Sequence, residues 1–263
     1  MRYSCLMAGV LLASALCHAQ DISRPMVRIC DDGAEWPPYS YYVRKNHEKT
    51  SELTGYSVDV IKIILTKNAI PYEIELLPWK RCLAEIDQGD KYVMALSATE
   101  NPERDKLFWF SDTYYKTHYY VFYSKVSHPS GLVLQGQDDL NHYRLGGIKG
   151  YAYSELTAVN KDQMVLTGDY IELVKMLHAG RFDIFAEDYE VIAGMSAVGS
   201  YDFMNDPKLG RTPLAGMPAN EFHMIFSRKN PEGLRLMLLV NKELASMKNS
   251  GELERLLSQY VPR

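Results

Sequence analysis

The chain has 263 residues, 46% of them apolar, which is enough to bury a large core in one large domain or two smaller ones and excludes a disordered or fibrous protein. Its 29 basic and 33 acidic side chains give a formal charge of -4, so electrostatics make no case for nucleic acid or an anionic membrane as partner. The 19 tyrosines outnumber the 8 phenylalanines, an excess that suits either a polar binding cleft or surface strands.

At the amino terminus, Arg2 precedes an apolar run from Leu6 to Leu16 that is too short to span a bilayer and ends at Cys17-His18-Ala19. Residues 1–19 read as a secretory signal peptide cleaved after about Ala19, which sends the mature protein to the periplasm. A lipoprotein reading through Cys17 fits less well, because Leu16 stands where that site wants a small residue. Cleavage discards Cys5 and Cys17 and leaves Cys30 and Cys82 in an oxidising compartment, where a disulfide is expected; the alternative is two separate buried thiols. Bridging residues 52 apart would constrain the unfolded chain by about 4 kcal/mol in the loop-entropy account. No histidine sits at ligand spacing from either cysteine, so neither a metal site nor a cofactor is expected.

Strand and helix patterns then alternate, the pattern of an α/β protein with largely parallel sheets. A strand is predicted over Met26 to Cys30, followed by the turn-rich Asp31-Asp32-Gly33. Val58, Ile61, Ile64 and Leu65 share one face of a helix that stops near Asn68 and Pro71. Tyr72, Ile74 and Leu76 alternate with glutamates as a strand; a helix from about Arg81 ends at Gly89, and Tyr92 to Leu96 forms the next strand. Asn101-Pro102-Glu103 has the residues of a helix start, with Asn as N-cap. Strands follow near Tyr119 to Tyr123 and Tyr143 to Ile148, then a helix from about Asp169 to Gly180 and a strand over Phe182 to Ala186. Loop composition fills Asp202 to Asn220, before a strand over Phe222 to Ser227 and a long amphipathic helix over Pro231 to Met247.

The ordered set Trp36-Pro37-Pro38-Tyr39, Gly55-Tyr56-Ser57-Val58-Asp59, Pro78-Trp79, Thr99 with Pro102-Glu103-Arg104, Phe110-Ser111-Asp112 and Tyr114-Tyr115 resembles the family 3 extracellular solute-binding proteins, periplasmic receptors of polar amino acid ABC importers. Gly180-Arg181-Phe182-Asp183 followed by Asp188, and a closing helix with Gly251, resemble the same family's second half. The string Pro78-Trp79-Lys80-Arg81-Cys82 resembles a subgroup in which a cysteine near the first strand accompanies it. The resemblance implies the type II periplasmic binding protein fold, in which each of two α/β lobes is a mostly parallel sheet flanked by helices and two hinge crossovers join them. Residues 21–115 and 220–263 would form one lobe and residues 116–219 the other, with crossings near Tyr115 to His118 and Met217 to Glu221.

The same resemblance implies roles for particular residues. Arg104 would hold a ligand α-carboxylate with its planar fork, helped by backbone N–H groups around Ser97 and Thr99. The alternatives are a solvated helix residue or a pair with Asp112. Asp188, from the opposite lobe, would accept the α-ammonium; otherwise it merely starts the helix containing Tyr189 and Val191. Trp36 and Trp79 match positions where aromatic rings surround the ligand side chain, with core packing as the alternative, and the rigid Pro37-Pro38 loop favours a presented Trp36 over a buried one. Where the family usually has Gly-Thr-Thr, Gly150 is followed by Tyr151-Ala152-Tyr153, which replaces a carboxylate contact by a bulky ring and leaves room for a modified amino acid, a peptide-like compound or another carboxylate.

The function expected is capture of a small polar ligand by a monomer and its delivery to an inner-membrane ABC permease, without enzymatic activity. A ligand-sensing module for a membrane signalling protein is the alternative. An enzyme similar to the cyclohexadienyl dehydratases, with Glu187 or Glu155 as general acid, is weaker because no positioned leaving group is visible in sequence.

Overall fold

The computed structural model describes residues 25–46, 48–199 and 201–260; the signal peptide expected at residues 1–19 lies outside them. Two mixed sheets form a two-lobed α/β architecture. In the first sheet, β1 (Val27–Asp32) lies between β4 (Tyr72–Leu77) and β5 (Met94–Ala98), parallel to both. Helices α1 (Tyr56–Lys67) and α2 (Trp79–Gln88) make the crossovers that parallel neighbours require. The predicted apolar face of α1 is its buried face, with Val58, Ile61, Ile64 and Leu65 all at 1% exposure or less. At the end of α2, Gly89 turns left-handed at φ 77°, a conformation that costs glycine nothing.

The sheet is completed by β13 (Asn220–Ser227), which returns late in the chain antiparallel to β5, and by β6 (Phe108–Phe110) on its far side. The second sheet repeats the scheme. Strands β10 (Val165–Thr167), β9 (Leu145–Ile148) and β11 (Ile184–Asp188) run parallel; β8 (Tyr119–Ser124) is antiparallel to β11, and the edge strand β12 (Leu209–Pro213) is antiparallel to β8. Helix α4 (Tyr170–His178) is capped by Asp169, whose Oδ1 accepts the Glu172 N–H at 2.8 Å. Helix α5 (Tyr189–Ala197) follows β11 directly.

The mostly parallel sheets expected from the sequence are present, each with one reversed strand, β13 in the first and β8 in the second. The stretch Asp202 to Asn220, expected as loop, contains β12, a short edge strand whose Gly210 and Pro213 mask its pattern. The hairpin β2 (Tyr41–Lys45) and β3 (Glu48–Thr54) was likewise absent from the sequence reading, since its exposed, charged residues lack a buried face. Strand β1 runs to Asp32 instead of stopping at Cys30, because the ladder with β4 continues to the pair Asp32 and Leu77. Helix α2 begins at Trp79, two residues earlier than expected.

Two segments join the sheets. Residues of β7 (Tyr115–Thr117) lead out of the first sheet and pair antiparallel with Asn220 to Phe222 of β13 on the way back. Cys30 on β1 and Cys82 on α2 form a disulfide with Cα atoms 5.8 Å apart, which fixes that helix over its own sheet. Of the closing helices, α6 (Gly233–Asn249) packs on the first sheet and buries Leu236, Val240, Leu244 and Met247, while α7 (Glu252–Tyr260) packs against α6 and α1 and buries Leu253 and Leu256.

Candidate ligand-binding cleft

The carboxyl ends of β1, β5 and β11 and the loop after β9 converge on one cavity between the sheets, where the ends of parallel strands commonly hold ligands. It encloses about 490 Å³ of space between atoms, part of it open to solvent. Trp36, Trp79, Ser97, Thr99, Arg104, Tyr151 and Asp188, the seven residues singled out from sequence, all line it.

Arg104 begins the single-turn helix α3 (Arg104–Leu107), anchored by Asn101, whose Oδ1 accepts the N–H groups of Glu103 at 3.0 Å and Arg104 at 2.9 Å. The side chain is 8% exposed and its Nη1 donates to Thr99 O at 2.8 Å and Thr99 Oγ1 at 3.0 Å. Its guanidinium also lies 5.7 Å from the centre of the Trp79 ring. Among the described residues no carboxylate pairs with it, and the Asp112 alternative is not realised, as Asp112 is engaged with Asn241. Burial lowers its pKa to about 10 against the opposing charge of the neighbouring Glu103, which forms no ion pair with it.

Asp188 occupies the residue before α5 yet makes no capping bond, so the bland reading of it as a helix starter does not describe its side chain. Its Oδ1 instead accepts from Thr117 Oγ1 and from Asn220 Nδ2, one donor from each segment joining the sheets. Burial raises its pKa to about 6 against the lowering by those two donors.

Three further carboxyl groups face the same cavity. Asp31 is fully buried; Ser40 Oγ donates to its Oδ2 at 2.6 Å while its Oδ1 is buried without a hydrogen-bond partner. Ser97 is near enough to lower the Asp31 pKa, but its hydroxyl is directed to Ser57 Oγ at 3.5 Å. Desolvation, reinforced by the neighbouring Asp32, lifts Asp31 to about 7. Asp32 accepts the Ala34 N–H at 2.9 Å and, across the cleft, the Tyr151 hydroxyl at 2.6 Å; burial raises its pKa as well. Glu187 accepts hydroxyl protons from Tyr153 and Tyr170, and burial carries it to about 8. Among the described residues no group of three or more His, Cys, Asp or Glu side chains is arranged to hold a metal ion.

Trp36 forms the opposite wall. The ring was expected to be presented around a ligand and not packed in the core; it lines the cavity but is only 6% exposed, its Nε1 donates to Tyr115 Oη at 3.1 Å, and it meets Tyr151 edge-on at 5.5 Å and 78°. The proline pair that follows it lies against the second lobe, with Gly194 of α5 so near that an added Cβ would lie 2.4 Å from Pro37 O.

Sequence reasoning overlooked Asp31, Asp32, Tyr119, Asn220 and Phe222 as lining residues and weighed Glu187 only as a general acid. The acidic pair was within reach: two aspartates directly after a strand in a parallel sheet stand where ligands bind. Asn220 and Phe222 carried no comparable sign, because their place depends on β13 crossing beside β7.

No curated protein sequence matches the chain. Among solved structures, an amino acid ABC transporter substrate-binding protein from Streptococcus pneumoniae bound to L-arginine is similar, with TM-score 0.71 and 21% identity over 89% of this chain and 93% of that one. The arginine-, lysine-, histidine-binding protein ArtJ from Geobacillus stearothermophilus gives TM-score 0.69 and 16% identity over 91% and 96% of the two chains. A histidine kinase sensor domain with similarity to periplasmic binding proteins gives TM-score 0.73 and 16% identity over 91% and 97%. The family model of the bacterial extracellular solute-binding proteins, family 3, matches residues 27–263, nine tenths of the chain, and the protein belongs to that family.

Proposed function

We propose that the protein is a periplasmic receptor that captures an amino acid carrying a second cation and delivers it to an ABC permease. The observation that carries this reading is a pair of unmatched groups facing one cavity: Arg104 forms no ion pair among the described residues, and Asp31 Oδ1 has no hydrogen-bond donor. A ligand with a carboxylate at one end and a cation at the other pairs with Arg104 and with the Asp31 carboxyl, which ionises to receive the cation. Asp188 takes the α-ammonium, and Trp36, Trp79 and Tyr151 wall the chain between. The solved arginine- and lysine-binding relatives in the same fold agree with that ligand class.

Residues 21–115 with 220–263, and residues 116–219, act as the two moving bodies, hinged where β7 and β13 run together. Because Asp188 is held by donors from both hinge segments, an ammonium bound there acts directly on the element that bends. The family is one of solute binding, so the raised pKa of Glu187 belongs to recognition and not to acid catalysis. The leader is cleaved after Ala19, which amino-terminal sequencing of the exported protein checks.

A thermal-shift screen of amino acids, their derivatives and small carboxylates tests the reading, since a ligand at a hundredfold excess over its dissociation constant stabilises the folded state by about 3 kcal/mol and so raises the melting temperature. Basic amino acids are expected to shift the wild type and to lose at least tenfold in affinity with Arg104→Ala or Asp188→Ala. Equal binding to both variants sinks the assignment. A second reading, input to a membrane signalling protein, draws on the likeness to the kinase sensor domain; neighbouring permease and ATPase genes favour import, and a receiver or cyclase gene favours signalling.

A further inference from the structure

The acidic end of the cavity offers its oxygens unequally. Asp31 Oδ2 is taken by Ser40 at 2.6 Å, Asp32 Oδ1 by the Ala34 N–H at 2.9 Å, and Asp32 Oδ2 by the Tyr151 hydroxyl at 2.6 Å. Asp31 Oδ1 alone among these four atoms accepts nothing. Glu187 provides no substitute, since its two oxygens receive the hydroxyls of Tyr153 and Tyr170.

A guanidinium is a planar fork whose binding is strongest when two free oxygens lie side by side, whereas an ammonium is a compact charge satisfied by one strong acceptor and weaker surroundings. Tyr151 therefore claims one of the two lone pairs of Asp32 Oδ2 and sets its hydroxyl against that oxygen, where a fork bridging Asp31 and Asp32 would have to reach. Its ring also meets Trp36 at 78°, so the two aromatic faces are not parallel and cannot sandwich a flat cation. Tyr151 reaches Asp32 from the other side of the cleft, 119 residues away in sequence.

We propose that Tyr151 is a specificity-determining residue: by occupying Asp32 Oδ2 it fits the site to a ligand whose second cation is a primary ammonium and against one that carries a guanidinium. This rests on the reading of the cavity as a site for an amino acid with a second cation and sets the chemistry of that cation.

The test is calorimetric titration of the exported protein with L-ornithine, L-lysine and L-arginine, for wild type and Tyr151→Phe. Wild type is expected to bind at least one of the two ammonium ligands tenfold or more tightly than arginine, and Tyr151→Phe, which frees Asp32 Oδ2, to narrow that ratio at least tenfold. Arginine binding as tightly as lysine and ornithine in wild type, or an unchanged ratio in a folded Tyr151→Phe, overturns the assignment and leaves the broader reading standing. Binding of neutral amino acids with none of the three basic ones fails the broader reading and the inference with it. Should Tyr151→Phe not fold by circular dichroism, the wild-type ratio alone decides.

Discussion

Ligand affinity should rise with pH across the neutral range, and the size of the effect follows from Asp31. Its pKa is raised to about 7, so roughly a tenth of the molecules carry the ionised carboxylate at pH 6 and about nine tenths at pH 8. A ligand cation that needs the ionised form sees an apparent dissociation constant divided by that fraction, which predicts about tenfold tighter binding at pH 8 than at pH 6. Asp188, at about 6, adds a further factor of roughly two, because half of it is protonated at pH 6. The ammonium groups of lysine stay charged through this range, so the ligand does not confound the trend. Isothermal titration with L-lysine at both pH values, each in two buffers of different ionisation enthalpy, reads affinity and proton release together. About 1.4 protons should leave on binding at pH 6, roughly 0.9 from Asp31 and 0.5 from Asp188, and about a tenth of a proton at pH 8. A flat affinity with no proton release would refute the assignment of the cation to Asp31.

Without ligand the same carboxyls give the opposite trend in stability. Asp31, Glu187 and Asp188 have folded pKa values raised above their unfolded ones, so their contribution is fully present below the unfolded pKa and is lost as pH rises through about 6 to 8. The ligand-free melting temperature should fall by roughly 5 °C or more between pH 5 and pH 8 by differential scanning calorimetry; a rise over that interval contradicts the burial argument. Replacing Gly194 by valine forces side-chain atoms into Pro37 O, 2.4 Å from the ideal Cβ, so Gly194→Val should keep a native circular dichroism spectrum yet bind lysine at least tenfold more weakly because the lobes cannot close. Unchanged affinity would show that closure does not need that contact. The double variant Cys30→Ala, Cys82→Ala loses the link across 52 residues, worth about 4 kcal/mol in the entropy account, and its melting midpoint should drop by roughly 10 °C, with no drop meaning that native strain cancels the gain.

Legibility in the sequence followed the range of the interactions. The face of α1, the left-handed stop at Gly89 and the start of α4 beside Asp169 depend on residues within one or two turns of each other, and each is where the sequence put it; Asn101 accepts backbone N–H groups as expected, but the helix begins two residues later than Pro102, at Arg104. The Cys30 to Cys82 pairing was readable for another reason: discarding the leader leaves a single possible partner. Strand β12 and the hairpin of β2 and β3 were not, because each is held by its neighbouring strand and not by a buried face of its own.

The composition, the spacing of its motifs and the family resemblance determined by themselves the α/β class, the disulfide and seven residues of one cavity. Only the tertiary structure decided the electrostatics. That Arg104 is left without a counter-ion, that Asp31 keeps one oxygen unmatched, and that Tyr151 takes an oxygen of Asp32 are facts of desolvation and of contacts between residues far apart in the chain. Such facts arise when both lobes close on the same space, and no local pattern encodes them.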